Sequence, residues 1–121
     1  MSDFDLYLMR FDPLIQQRLI TIRQAARCFF TRAEERLCHS LPAFASGGKV
    51  FLFFGAYKEH IAVCVGNDWV DFLKHQYPQF RYTGYTITFR HDEPLPEDVI
   101  RTIFEWMAGR GVGGPRKEDE G

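Results

Sequence analysis

Apolar residues recur at three- and four-residue steps through Ile15, Leu19, Ile22, Ala26 and Phe29, the spacing of one face of an amphipathic helix. Asp12-Pro13 marks its start: a carboxylate to cap the first turn, then a proline where the missing N–H costs nothing. Arg23 and Arg27 fall well away from the apolar face, with Arg18 on its flank. The pattern predicts a helix to about Phe30, and the stretch 31–36 can extend it. Leu41-Pro42 breaks that period, because the residue before a proline is pushed out of the α region.

Beyond Pro42 the pattern is that of strands. Residues 43–46 read as a short strand and Gly47-Gly48 as a tight turn. Residues 50–54 (VFLFF) and 61–65 (IAVCV) are β-branched and aromatic runs joined by 55–59, an antiparallel meander. Symmetric pairing across that connection sets Phe54 opposite His60, Leu52 opposite Ala62 and Val50 opposite Cys64. Phe51, Phe53, Ile61 and Val63 then share the other face, and a one-residue slip would exchange the faces. Asn67-Asp68 caps a short helix with Trp69, Phe72 and Leu73 on one side. Residues 85–89 (YTITF) alternate as a half-buried strand. Pro94-Leu95-Pro96 leads into a last helix with Glu97 and Asp98 at its electropositive start; Val99, Ile100, Ile103, Phe104 and Met107 are its buried positions, and Gly109 its end. The fold class predicted is α+β: an antiparallel sheet of about four strands with helices packed mainly on one face, order α-β-β-β-α-β-α.

Length sets this as one domain, residues 1–108 of a 121-residue chain, and the 12 Phe, 5 Tyr and 2 Trp exclude a disordered one. Residues 109–121 (GRGVGGPRKEDEG) are glycine-rich, then charged, have nothing to bury and are expected to form a disordered tail. Fifteen basic against sixteen acidic side chains leave a net charge of −1, which provides no general field for nucleic acid and no polybasic hold on a membrane. No apolar run reaches the length of a bilayer span, and the first residues lack the basic-then-apolar layout of a signal peptide. Cys28, Cys38 and Cys64 are odd in number and widely spaced, which fits neither a disulfide framework nor a zinc ribbon. The expectation is a cytoplasmic protein without nucleic-acid or membrane partners.

Three blocks carry a resemblance. Leu41-Pro42-Ala43-Phe44 with Gly48-Lys49 and strand 50–54 forms the first, and Ala56-Tyr57-Lys58-Glu59-His60-Ile61 the second. Thr86-Ile87-Thr88-Phe89 with Pro94-Leu95-Pro96 and Ile100 forms the third. In this order and spacing, over about two-thirds of the chain, they resemble the YdhG-like family of small bacterial α+β domains, some of which are described as frataxin-like iron chaperones. The chain departs from the family pattern at His39-Ser40, at Val63-Cys64-Val65, at Gly84-Tyr85 and at Arg90.

Iron chaperoning, the alternative function that the resemblance implies, would fall to Asp92, Glu93, Glu97 and Asp98, since exchangeable iron needs hard oxygen ligands. The first helix offers no such cluster: its arginines (18, 23, 27, 32 and 36) outnumber Glu34 and Glu35. A zinc site would need Cys38, His39, His60 and Cys64 to converge, and the plainer expectation for Cys64 and His60 is structural. Neither Cys38 nor Cys64 has a base fixed beside it by sequence, no G-x-S-x-G, Walker A or HExxH pattern occurs, and no aromatics interleave with the helix arginines as nucleic-acid stacking requires. The expected function is a binding domain, not an enzyme, with no cofactor. Both sides of strand 50–54 are apolar and need cover. The face with Leu52, Phe54 and Cys64 as floor and Lys58 and His60 at the rim is expected to take a small ligand or a second subunit in a homodimer. The plain alternative is that Tyr77, Phe80 and Tyr82 fold over it as an aromatic flap.

Overall fold

The computed structural model describes residues 2–114. A short helix the pattern did not predict, α1 (Asp3–Leu8), opens the chain through a capping box: Ser2 Oγ accepts from the Asp5 N–H while the Asp5 carboxylate accepts from the Ser2 N–H. Its Phe4, Tyr7 and Leu8, spaced for one helix face, are buried. The second helix, α2 (Pro13–Phe29), starts where expected: Asp12 Oδ1 accepts from the Ile15 N–H at 3.0 Å. It does not run on. Phe30 leaves the helical region (φ −104°, ψ 68°), and the chain turns back as a strand, β1 (Glu34–Cys38).

Strands β2 (Leu41–Ser46), β3 (Lys49–Ala56) and β4 (His60–Cys64) form the expected meander, and helix α3 (Asn67–Gln76) follows. Next come β5 (Arg81–Thr83), β6 (Thr86–Arg90) and the last helix, α4 (Glu97–Gly109). The class is α+β as expected, but the antiparallel sheet has six strands, in the order β1-β2-β3-β4-β6-β5. The two unforeseen strands are the edges. The β1 sequence, EERLC, has no alternating apolar pattern; what makes it a strand is its pairing with β2 and the grip of α2 on Glu35. Arg23 donates to both Glu35 oxygens (2.7 and 2.9 Å) and to Asp5 (2.8 Å), and Arg27 donates to the same Glu35 carboxylate (2.9 and 2.6 Å). The Arg23 guanidinium also lies 4.2 Å from the Phe4 ring centroid, so one cation joins α1, α2 and β1.

The register of β3 and β4 differs from the symmetric expectation by three residues. Strand β3 continues through Gly55-Ala56, and the turn closes through a hydrogen bond from the Tyr57 N–H to the His60 carbonyl (2.8 Å). Phe54 therefore lies opposite Val63, and Phe53 opposite Cys64. An odd shift exchanges the faces of one strand relative to the other. Leu52, Phe54, Ile61 and Val63 face the helices and are 0–2% exposed, and Phe44, Ile87 and Phe89 of neighbouring strands are buried with them. Phe53 leaves the helix-covered set to which the pattern assigned it.

These side chains and the buried faces of all four helices form one core cluster. Helix α4 does not give way to a free tail at once. Gly111 (φ 88°) takes the left-handed position of a Schellman motif, in which the Val112 N–H reaches the Met107 carbonyl (3.0 Å) and the Gly111 N–H that of Ala108 (3.1 Å). Val112 lies against the core, and Gly113 is buried near Phe30 and Phe51. Residues 109–114 are thus folded, and the rest of the expected tail lies outside the described residues.

Candidate functional site

With the helices on one side, alternation along each strand decides what the other side carries. On β1 and β2 it carries Arg36 opposite Ala43; Leu41, opposite Cys38, packs against the core cluster instead. On the central strands it has Phe53 opposite Cys64 and Gly55 opposite Ala62, and on the far strands Thr86 and Thr88 opposite Thr83 and Arg81. His60 closes the series opposite Arg90. Phe53, Ala62 and Cys64 are half-buried and stand outside the core cluster. Phe53, Cys64, Thr86 and Thr83 make one row across four strands, roughly 14 Å from end to end at the usual strand spacing.

The five residues expected to share a site are therefore split. Leu52 and Phe54, proposed as its floor, are core residues at 0% and 1% exposure. Phe54 meets Phe4 edge-on (5.9 Å) and Phe44 in a stack (6.5 Å). Lys58 is exposed on the β3–β4 turn. Only His60 and Cys64 lie on the uncovered face. The aromatic flap does not lie there either. Phe80 packs against Phe89 at 5.4 Å, Tyr77 stacks on Trp106 at 6.0 Å, and the Tyr82 hydroxyl donates toward the Leu73 and Tyr77 carbonyls (3.0 and 2.8 Å), all on the helical side.

At the β5–β6 end the uncovered face sinks into a depression of about 250 Å³ lined by Glu59, His60, Arg81, Thr83, Thr88 and Arg90. Its polar groups are unequal. Arg90 is held by Asp92 through two hydrogen bonds (2.9 and 2.7 Å), which push the guanidinium further up and hold the Asp92 carboxyl below its usual range. Thr88 Oγ1 donates to the Arg81 carbonyl, and Thr83 and Thr86 share a hydrogen bond at 2.7 Å. The Arg81 guanidinium has no carboxylate partner among the described residues. His60, which lines the depression, stacks on Tyr57 at 5.3 Å. At the other end of β4, burial pushes the Cys64 thiol up, the Gly66 N–H acts against that, and Cys38 adds to it. That environment keeps Cys64 a thiol rather than a nucleophilic thiolate.

The residues weighed for metals are spread out. No group of three or more His, Cys, Asp or Glu side chains is placed to hold a metal ion among the described residues. Asp92 is engaged by Arg90, Glu97 and Asp98 lie in the first turn of α4, and His39 is exposed on the β1–β2 turn. No helix among the described residues is long and apolar enough to cross a membrane. Sequence reasoning missed Arg81, Thr88 and Phe53. The alternation Thr86-Ile87-Thr88-Phe89 was legible and pointed its threonines away from the core, whereas the three-residue β5 carries no pattern of its own.

No protein-family model matches the chain, and none of the curated proteins matches it. Among solved structures, a protein of the DUF1801 family, YdhG from Bacillus subtilis, is similar over 90% of this chain and 90% of that one. The TM-score is 0.78 at 17% sequence identity. The chain has a YdhG-like fold, in agreement with the three sequence blocks.

Proposed function

We propose that the chain is a non-catalytic binding protein that takes a small amphipathic anion on the uncovered face of its sheet. The acid group lies in the depression between His60 and Arg81, and the apolar part runs over Ala62, Cys64 and Phe53. The observation that carries this reading is the continuity of half-buried apolar side chains with Arg81, whose guanidinium has no carboxylate partner among the described residues, on a face left uncovered by the helices of the described residues. The depression is slightly smaller than ordinary ligand clefts of about 300–1,000 Å³, which suits a compact head group whose chain lies outside it. Glu59 at the rim and the Arg90–Asp92 pair leave Arg81 as the main attraction for a carboxylate or phosphate. Iron chaperoning keeps the family resemblance as its support.

Calorimetric titration with octanoate, and with octanol as the uncharged counterpart, tests this. Octanoate should bind, Arg81→Gln should weaken it by about tenfold or more, and Phe53→Ala should weaken octanoate and any octanol binding alike. Equal affinity for octanol, or no heat from either probe, would overturn the reading. A dimer that Phe53→Ala dissolves would replace the ligand with a second copy of the chain.

A further inference from the structure

Both tryptophans of the chain lie together on the opposite layer from the sheet face. Trp69 and Phe72 of α3 and Trp106 of α4 line a groove of about 780 Å³, completed by Asp68, Glu105, Gly109 and Arg110. The Phe72 ring is steeply inclined to both indoles, at 5.7 Å and 87° to Trp69 and 5.4 Å and 79° to Trp106, so the three rings form corners rather than a flat stack. Tyr77 stacks on Trp106 and helps to hold its plane. Phe72 is 40% exposed despite these two aromatic partners.

Elsewhere this chain satisfies aromatic rings with its own cations: Arg10 over Tyr7, Arg23 over Phe4 and Arg101 over Phe29. None of the groove's three rings has such a cation among the described residues, and neither Asp68 nor Glu105 has an ion-pair partner among them. An anion there would meet two carboxylates against one arginine. A neutral apolar ligand would strip water from those carboxylates and return nothing to them. A cation without N–H groups to satisfy meets both needs: ring faces for its charge and methyl groups, and carboxylates at the rim.

We infer that the α3–α4 groove binds a small quaternary ammonium compound, its methylated nitrogen in the corner of Trp69, Phe72 and Trp106 and its charge balanced by Asp68 and Glu105. This site is separate from the sheet face and does not depend on it.

Because both indoles line the groove, intrinsic tryptophan fluorescence reports occupancy directly. The probes are choline and 3,3-dimethyl-1-butanol, which has the same shape without the charge. Choline should change the emission saturably, with the neutral compound at least about fivefold weaker. Glu105→Gln, an exposed change that spares the fold, should weaken choline about threefold and leave the neutral compound unaffected. Trp69→Leu should abolish the preference for charge. Equal affinity for the two probes, or a choline response unchanged in Trp69→Leu, would overturn the inference, as would no saturable response.

Discussion

Two neighbours on one strand distinguish the observed register from the pairing that symmetry suggests. Phe54 is 1% exposed and in ring contact with Phe4 and Phe44, so Phe54→Ala removes a ring the surrounding core cannot replace. Loss of such a buried ring costs about 3–5 kcal/mol, of which the two aromatic contacts supply about 1–2. For a domain of this length that is a fall in Tm of roughly 10–20 °C. Phe53, one residue earlier, is half-buried on the uncovered face and outside the core cluster, so Phe53→Ala should cost less than about 1 kcal/mol. Differential scanning calorimetry and urea titration of both variants measure the contrast. Phe54→Leu, milder at about 1–2 kcal/mol, keeps the comparison available if the alanine variant does not fold. A Phe54→Ala protein as stable as the parent, or a Phe53→Ala protein that loses as much as Phe54→Ala, would refute the register and with it the separation of core from binding face.

Other consequences follow from local geometry. Ser40 sits in the left-handed region (φ 65°) of the two-residue β1–β2 turn, so Ser40→Gly should raise stability by about 0.5–1 kcal/mol; a lower urea midpoint would count against strain at that turn. A Cβ at Gly55 would lie 2.7 Å from Leu41 Cδ2 and 3.0 Å from the Tyr7 hydroxyl that accepts from the Ala56 N–H. Gly55→Ala should therefore cost about 1–3 kcal/mol, and part of that loss should return in the double variant with Leu41→Ala; strict additivity in thermal melts would show that the clash is not with Leu41. Burial pushes the Glu35 carboxyl up, but the hydrogen bonds from Arg23 and Arg27 outweigh it and hold the group below its ordinary value. Its stabilising contribution is thus complete above the unfolded value, about 4.3, and is lost as pH falls through the lower folded value. Urea midpoints between pH 6 and pH 3 should fall more steeply in the parent than in Glu35→Gln, and parallel curves would contradict the assignment.

How far the sequence led can be judged residue by residue. Asp12-Pro13 located the start of α2 because a cap and a first-turn proline act locally, and the period-3.6 face of α4 identified Ile100, Ile103, Phe104 and Met107 as buried. Edge strand β1 was not legible: Glu34-Glu35-Arg36 has no strand pattern, and its partner is an arginine clamp that forms only when α2 lies across it. The sheet faces depended on where a turn closes. Gly55-Ala56 read as linker but extend β3, and the resulting three-residue shift moved Phe54 into the core and Phe53 out of it. His60 and Cys64 kept a shared face, as spacing by two within one strand guarantees, while their partners Arg81 and Thr88 came from pairings the linear pattern does not encode.

The central claim is that the uncovered sheet face is where this protein binds, and amide chemical-shift mapping during an octanoate titration tests it most directly. Saturable shifts should concentrate at Phe53, His60, Ala62, Cys64, Arg81 and Thr88, with α3 and α4 undisturbed, and in Arg81→Gln the remaining residues should need about tenfold more octanoate to shift. Shifts confined to the helical layer, or no shifts on β3 to β6 at saturating octanoate, would contradict it.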